Sequence, residues 1–158
     1  MEQNYRDQYA LFYDTTPSGT SKNYVLEGTG VDSLAFSFNP QVDQYKTIID
    51  RNASATFKNY QIQSAVSGKR IYKGDKIYEF LNEARKKATA IETTALEVDT
   101  AEEASEGSYV AIEYNVLIVI NEFLGEDATI SYDLYVKGTP TLGTATLADG
   151  VPTFTKSA

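Results

Sequence analysis

The chain has no cysteine, no histidine and no tryptophan, and its single methionine is the first residue. Each absence excludes chemistry. Without Cys there is no disulfide framework, no thiol nucleophile and no zinc–thiolate site, and the redox compartment cannot be read. Without His there is no Ser-His-Asp or Cys-His catalysis and no imidazole metal ligand, so acid–base work would fall to carboxylates, Lys or Tyr. Most hydrolases, oxidoreductases and zinc enzymes are thereby disfavoured, and the expectation is a protein that is not an enzyme and uses no cofactor or metal. Positive charge is scarce in the second part. Residues 91–158 carry 2 Lys/Arg against 12 Asp/Glu, whereas residues 1–90 carry 12 against 10, and the net charge is −8. So acidic a surface does not neutralise phosphates, which disfavours ordinary nucleic-acid binding. The longest aliphatic run, Val116 to Ile120, falls far short of a membrane span, and the start Met1-Glu-Gln-Asn-Tyr-Arg-Asp7 lacks the apolar stretch of a signal peptide. A soluble protein made in the cytoplasm, with no membrane partner, is expected.

At 158 residues, with 42% apolar residues, 12 Tyr and 7 Phe, the chain suits a single packed domain. Strand patterns dominate. Tyr9 to Tyr13 leads into the turn cluster Thr16-Pro-Ser-Gly19, and Tyr24 to Glu27 into Gly28-Thr-Gly30. Leu34, Phe36 and Phe38 alternate with small polar residues as a half-buried strand would. Ser54 to Val66 reads as one long extended run with Asn59, Gln61 and Gln63 on a common face. Ile77, Phe80, Leu81, Ala84 and Ala88 form one apolar stripe at helical spacing, which predicts a helix over about 76–88 with Asp75 as its N-cap. Thr94 to Asp99 reads as a short strand, and the acidic stretch 100–107 as an exposed loop.

Tyr109 to Phe123 is the longest strand pattern. Val110, Ile112, Tyr114, Val116, Ile118 and Ile120 share one face; Thr129 to Lys137 follows, and the tail holds a hairpin with Asp149-Gly150 as its turn. Fifteen extended residues span roughly 50 Å, against a diameter of about 40 Å for a compact chain of this size. Either the strand is bulged within a monomeric sandwich, or it protrudes and pairs with neighbouring copies.

Chemical motifs are sparse. Gly28-Thr-Gly30 lacks the third glycine of a dinucleotide fingerprint, and Gly68-Lys-Arg70 lacks the first glycine and the Ser/Thr of a phosphate loop, so both read as turns. The acids Glu97, Asp99, Glu102, Glu103 and Glu106 lack the spacing of a calcium loop. Glu113 and Asp133 are the one carboxylate pair that a hairpin would put on a common face.

Taken as an ordered set, certain segments resemble a major tail tube protein of long-tailed bacteriophages, of the kind found in phages of Gram-positive bacteria. They are Ala10-Leu-Phe-Tyr13, Leu26-Glu-Gly-Thr-Gly-Val31 leading to Phe38-Asn-Pro40, Ser67-Gly-Lys-Arg-Ile71 ahead of Asp75 to Leu81, and the Asp149-Gly150 hairpin with Thr153-Phe-Thr155. The resemblance implies a mainly β fold: an antiparallel β-sandwich or partial barrel with one flanking α-helix. Strands of six copies would close into an inter-subunit β-barrel in hexameric rings. It further implies rings stacked into a tube around a tape-measure protein, with a tail terminator and distal tail or baseplate proteins as further partners, a place in the virion, and transient passage of DNA. One domain would span 1–158, with an N-terminal arm over about 1–23 and a C-terminal hairpin over about 139–158.

On that resemblance Asn59, Gln61, Gln63, Glu113, Asn115, Ser131 and Asp133 are expected to line the channel, while Ile112, Tyr114, Ile118, Ile130, Tyr132 and Leu134 pack inside. Inter-ring contacts are expected from the N-terminal arm, from Gln41 to Asn52 with Lys46 and Arg51, and from Glu102, Glu103 and Glu106. Three alternatives stay open. One is a monomeric β-sandwich that grips carbohydrate or a receptor at a tail tip; another is the tube of a tail-like bacteriocin; the third is a carboxylate-based enzyme.

Overall fold

A computed structural model describes residues 2–3 and 8–158. Residue 1 and residues 4–7 of the expected N-terminal arm lie outside the described residues. The elements run β1 (Tyr9–Asp14), β2 (Tyr24–Glu27), β3 (Pro40–Tyr45), β4 (Ser54–Tyr60), β5 (Gln63–Arg70), α1 (Lys76–Lys87), β6 (Ile91–Ser105), β7 (Ser108–Leu124), β8 (Thr129–Ala148) and β9 (Val151–Lys156). The fold is mainly β with one helix, as expected. Seven strands form one antiparallel sheet in the order β2-β1-β6-β7-β8-β5, with β9 also paired to β8, and this sheet curls into a nearly closed barrel. Its two edges meet beyond their ladders, where the Arg70 N–H donates to the Gly30 carbonyl at 3.0 Å. Gly30 has φ +74, and a Cβ there would run into the Arg70 backbone, so this approach needs glycine.

The core sits on both faces of the sheet, at different levels. On one face Leu11, Tyr13, Ala95, Tyr114, Val116, Ile118, Tyr132 and Leu134 pack with Ile77, Leu81 and Ala84 of α1. On the other, Phe12, Tyr24, Leu96, Val98, Ala111 and Ala145 form a second cluster beneath Phe154 of β9. β7 therefore buries one set of alternate residues near its middle and the opposite set near its start. Ala111 is thereby buried on the face that farther along carries Glu113, Asn115 and Asn121.

The helix starts where its cap predicts, with the Ile77 N–H donating to Asp75 Oδ1 at 3.0 Å. The length of β7 is accommodated by irregular pairing. Against β8 the register shifts between Glu113 and Asn115, where three residues around Gly138 oppose one, and again between Ile120 and Glu122.

Four expectations need correction. Leu34 to Phe38 is not a strand; only Ser37 makes a bridge, to Gln63, although Leu34 and Phe36 pack on the core and Phe36 stacks on Tyr114 with ring centres 5.3 Å apart. Its alternation marks burial, without a lateral backbone partner to make a ladder. The run Ser54 to Val66 breaks after Tyr60, because the Gln61 N–H turns to the Phe38 carbonyl at 3.0 Å, and β4 and β5 join different sheets. The acidic stretch 100–107 is no free loop: through Ser105 it extends β6 as a bulged ladder against β7, and only Glu106-Gly107 turns. Gly68-Lys69-Arg70 is no turn either, but a bulged end of β5 that carries Lys69 into the core.

Candidate functional site

The seven expected lining residues do not share one surface. Gln63 on β5, Glu113 and Asn115 on β7, and Ser131 and Asp133 on β8 lie on the sheet face turned away from α1, as pairings Leu96 with Glu113, Thr94 with Asn115, Val119 with Asp133 and Ala65 with Asp133 require. Asn59 belongs to β4 in the separate β3–β4 sheet, and Gln61 to the link between the two sheets. Glu113 is not a free carboxylate. Lys22 Nζ lies 2.7 Å from its Oε2, and the Tyr24 hydroxyl donates to the same oxygen at 2.9 Å. Glu113 and Asp133 share a face, but the partner of Asp133 is Val119, six residues along β7 from Glu113 and so about 20 Å away. The pair does not converge as two catalytic acids must. The six residues expected inside do lie inward: Tyr114, Ile118, Ile130, Tyr132 and Leu134 are buried, and Ile112 packs against them.

The expected contact residues sit on two hairpin tips. Glu102, Glu103 and Glu106 are exposed at the β6–β7 end. Lys46 and Arg51 flank the turn between β3 and β4, which Asp50 closes by accepting from the Thr47 N–H and hydroxyl at 2.9 and 2.7 Å. Between them Ile48 and Ile49 are 103% and 90% exposed. Among the described residues β3 and β4 pair only with each other. Every residue of β4 is exposed, including Phe57 and Tyr60, and so are Val42 and Tyr45 of β3. An isolated pair of strands is marginal in water, and one that presents Ile, Val, Phe and Tyr is more so. Phe57, Tyr60, Asn59 and Gln61 also border an open cleft of about 430 Å³.

A buried polar cluster at the seam of the barrel escaped the sequence reading. Lys69 and Glu27 have fully buried side chains, and Lys69 Nζ lies 2.8 Å from Glu27 Oε1 and 2.9 Å from Asp75 Oδ2. The amine also donates to the Thr29 carbonyl at 2.5 Å. The Gly28 N–H donates to Glu27 Oε1 at 2.8 Å, the Tyr132 hydroxyl to Glu27 Oε2 at 2.6 Å, and the Tyr13 and Tyr132 hydroxyls lie 3.1 Å apart. This cluster joins β2, β5, β8, β1 and the cap of α1. Burial, reinforced by the charge of Glu27, pushes the Tyr13 hydroxyl well above the ordinary phenol range. Tyr132 is raised too, by burial first and then by Tyr13 and Glu27.

These shifts predict alkaline sensitivity. Unfolded phenols titrate near pH 10, so the stabilisation is fully present below that pH and is lost as pH rises towards the folded values. In that window the unfolded chain releases protons that the folded one keeps. Stability should fall by about 1.4 kcal/mol per pH unit for each of Tyr13 and Tyr132. Urea unfolding at pH 9 and pH 11 measures this, and Tyr13→Phe should shallow the decline. A flat profile would show that the two phenols are not held neutral by the core.

Among the described residues no group of three acidic side chains is gathered to hold a metal, and no helix is long and apolar enough to cross a membrane. No protein-family model matches the chain, and no curated protein matches it.

Proposed function

We propose that this chain is a structural subunit that polymerises head to tail into a tube of the phage-tail type, with stacked six-membered rings and a channel for DNA. The observation that carries the reading is the β3–β4 arm. Ile48 and Ile49 at its tip have no cover within the molecule, and Val42, Tyr45, Phe57 and Tyr60 are only about half covered. Among the described residues its strands pair only with each other, so a second copy would supply the rest. Contact between an arm and a different surface of the next copy is heterologous, and a heterologous contact that does not close continues as a filament.

Charge supports the same direction. The arm carries Lys46, Arg51 and Lys58 against Asp43 and Asp50, whereas the β6–β7 tip carries Glu102, Glu103 and Glu106 with no cation. On the sheet face away from α1, Gln63, Asn115, Ser131 and Asp133 stand with Tyr135 and Lys137, and the Lys137 amine lies 2.9 Å from Glu92. A face whose cation is paired makes few phosphate salt links, and salt confines its repulsion to about 8–10 Å, so DNA would slide past it. The resemblance to tail tube proteins, carried by Leu26 to Val31 and Ser67 to Ile71 in particular, supports the identity of the tube.

Negative-stain microscopy of the concentrated protein tests the reading: hollow rods of uniform width are expected. Reversing charge with E102K/E103K should shorten those rods and weaken their dependence on salt. Unchanged length and salt response would remove the β6–β7 tip from the contact. A second reading draws on the cleft between Phe57, Tyr60, Asn59 and Gln61, since aromatic faces beside amides suit a sugar. It requires a monomer at every concentration and binding on a glycan array, and both results together would displace the tube.

A further inference from the structure

The buried seam has features that an ordinary ion pair does not need. Glu27 is saturated, with Lys69 and the Gly28 N–H on Oε1 and Tyr132 on Oε2. Asp75 is not. Its Oδ1 caps α1, but its Oδ2 is buried and accepts no hydrogen bond, although the Lys69 amine lies 2.9 Å away, outside hydrogen-bonding directions. The clefts bordered by Asn115, by Phe154 and by Tyr60 do not include Lys69, Glu27 or Asp75 in their walls. With the side chains sealed from solvent, the reactants available there are the side chains themselves.

We propose that Lys69 and Asp75 are the partners of an intramolecular amide bond, with Glu27 as the proton relay. Glu27 takes a proton from the Lys69 ammonium, and the freed amine lone pair attacks Asp75 Cγ, forming the C–N bond. The Cγ–O bond to one carboxylate oxygen then breaks. That oxygen leaves as water, carrying two hydrogens that came from the amine, one of them by way of Glu27, which ends as the carboxylate it began as. Ammonium plus carboxylate gives amide plus water, and no oxidant, reductant or cofactor enters. Two arguments favour the step. Groups held in contact reach effective concentrations of roughly 10⁵–10⁸ M. A dry interior also disfavours an ion pair relative to a neutral amide and withholds the water that would reverse the reaction. The product would rivet β5 to the start of α1 at the point where β5 meets the segment after β2.

The test is the intact mass of the purified full chain under denaturing conditions. It should be one water lighter than the sequence, with no tryptic cleavage after Lys69 and with the peptides bearing Lys69 and Asp75 recovered as one branched species. Lys69→Met and Asp75→Ala should each restore the full substituted mass, and Glu27→Gln should do so while keeping both partners. The wild-type measurement stands whether or not those variants fold. An unmodified mass after prolonged incubation would overturn the proposal, and so would water loss located on a linear peptide, which marks an imide at Asp75 instead. The outcome is independent of whether the chain forms tubes.

Discussion

Substituting both tip residues, Ile48→Asp with Ile49→Asp, should abolish rod formation while leaving the unfolding free energy of the monomer within about 0.5 kcal/mol of wild type. Both side chains stand free of the domain, so nothing in the folded monomer depends on them. Burying each isoleucine against a neighbour is worth about 1.5–3 kcal/mol. Carboxylates at the same places would need desolvation as well. A loss of 3–6 kcal/mol per contact lowers the association constant by roughly 10²–10⁴, and a polymer repeats that loss at every joint. Sedimentation velocity over a concentration series, with microscopy of the same samples, reads the effect. Rods that persist would free the arm tip from the contact, and a destabilised monomer would mean that the tip packs on its own domain.

Lys69→Met should be the most damaging single change to the monomer. The amine lies between both buried acids, and its removal leaves Glu27 and Asp75 as two buried carboxylates without the charge that pairs them. Breaking a buried pair by deleting one partner costs about 3–5 kcal/mol, a large share of the 5–15 kcal/mol that holds a typical domain together. Glu27→Gln should cost less, because its amide oxygen can still accept from Lys69 while its NH2 donates to the Tyr132 hydroxyl, and Asp75 remains beside the amine. Urea titrations of the two variants give the order, and an inverted order would mean that the seam is held chiefly by Glu27 and its hydrogen bonds.

Much of the architecture was legible because it is governed by short-range periodicity. The stripe Ile77, Leu81 and Ala84 with Asp75 ahead of it specifies a helix and its start, and the alternation from Tyr114 to Ile118 specifies which side of β7 is buried. The misread segments are those whose state is set by distant partners. Nothing local interrupts Ser54 to Val66; the break arises because Phe38 captures the Gln61 amide. The acids at 100–105 have poor strand propensity, yet β7 supplies a backbone partner and the ladder carries on past them. Lys69 was hidden for the same reason. In the string Gly-Lys-Arg it looks like surface, and its burial depends on Glu27, 42 residues earlier. Of the expected lining residues, Asn59 and Gln61 are parted from Gln63 by the same unseen break, and Glu113 is paired with Lys22, whose proximity no spacing rule announces.

The strand β7 supplies hydrophobic teeth to two compartments, gripping α1 with one edge of its pleat and Phe154 with the other. It works as a party wall. Neither compartment can be excised, circularly permuted through that strand or melted alone without stripping the lining from its neighbour, so the seven-stranded sheet and its helix meet a pulling force together, with the β3–β4 arm outside that unit.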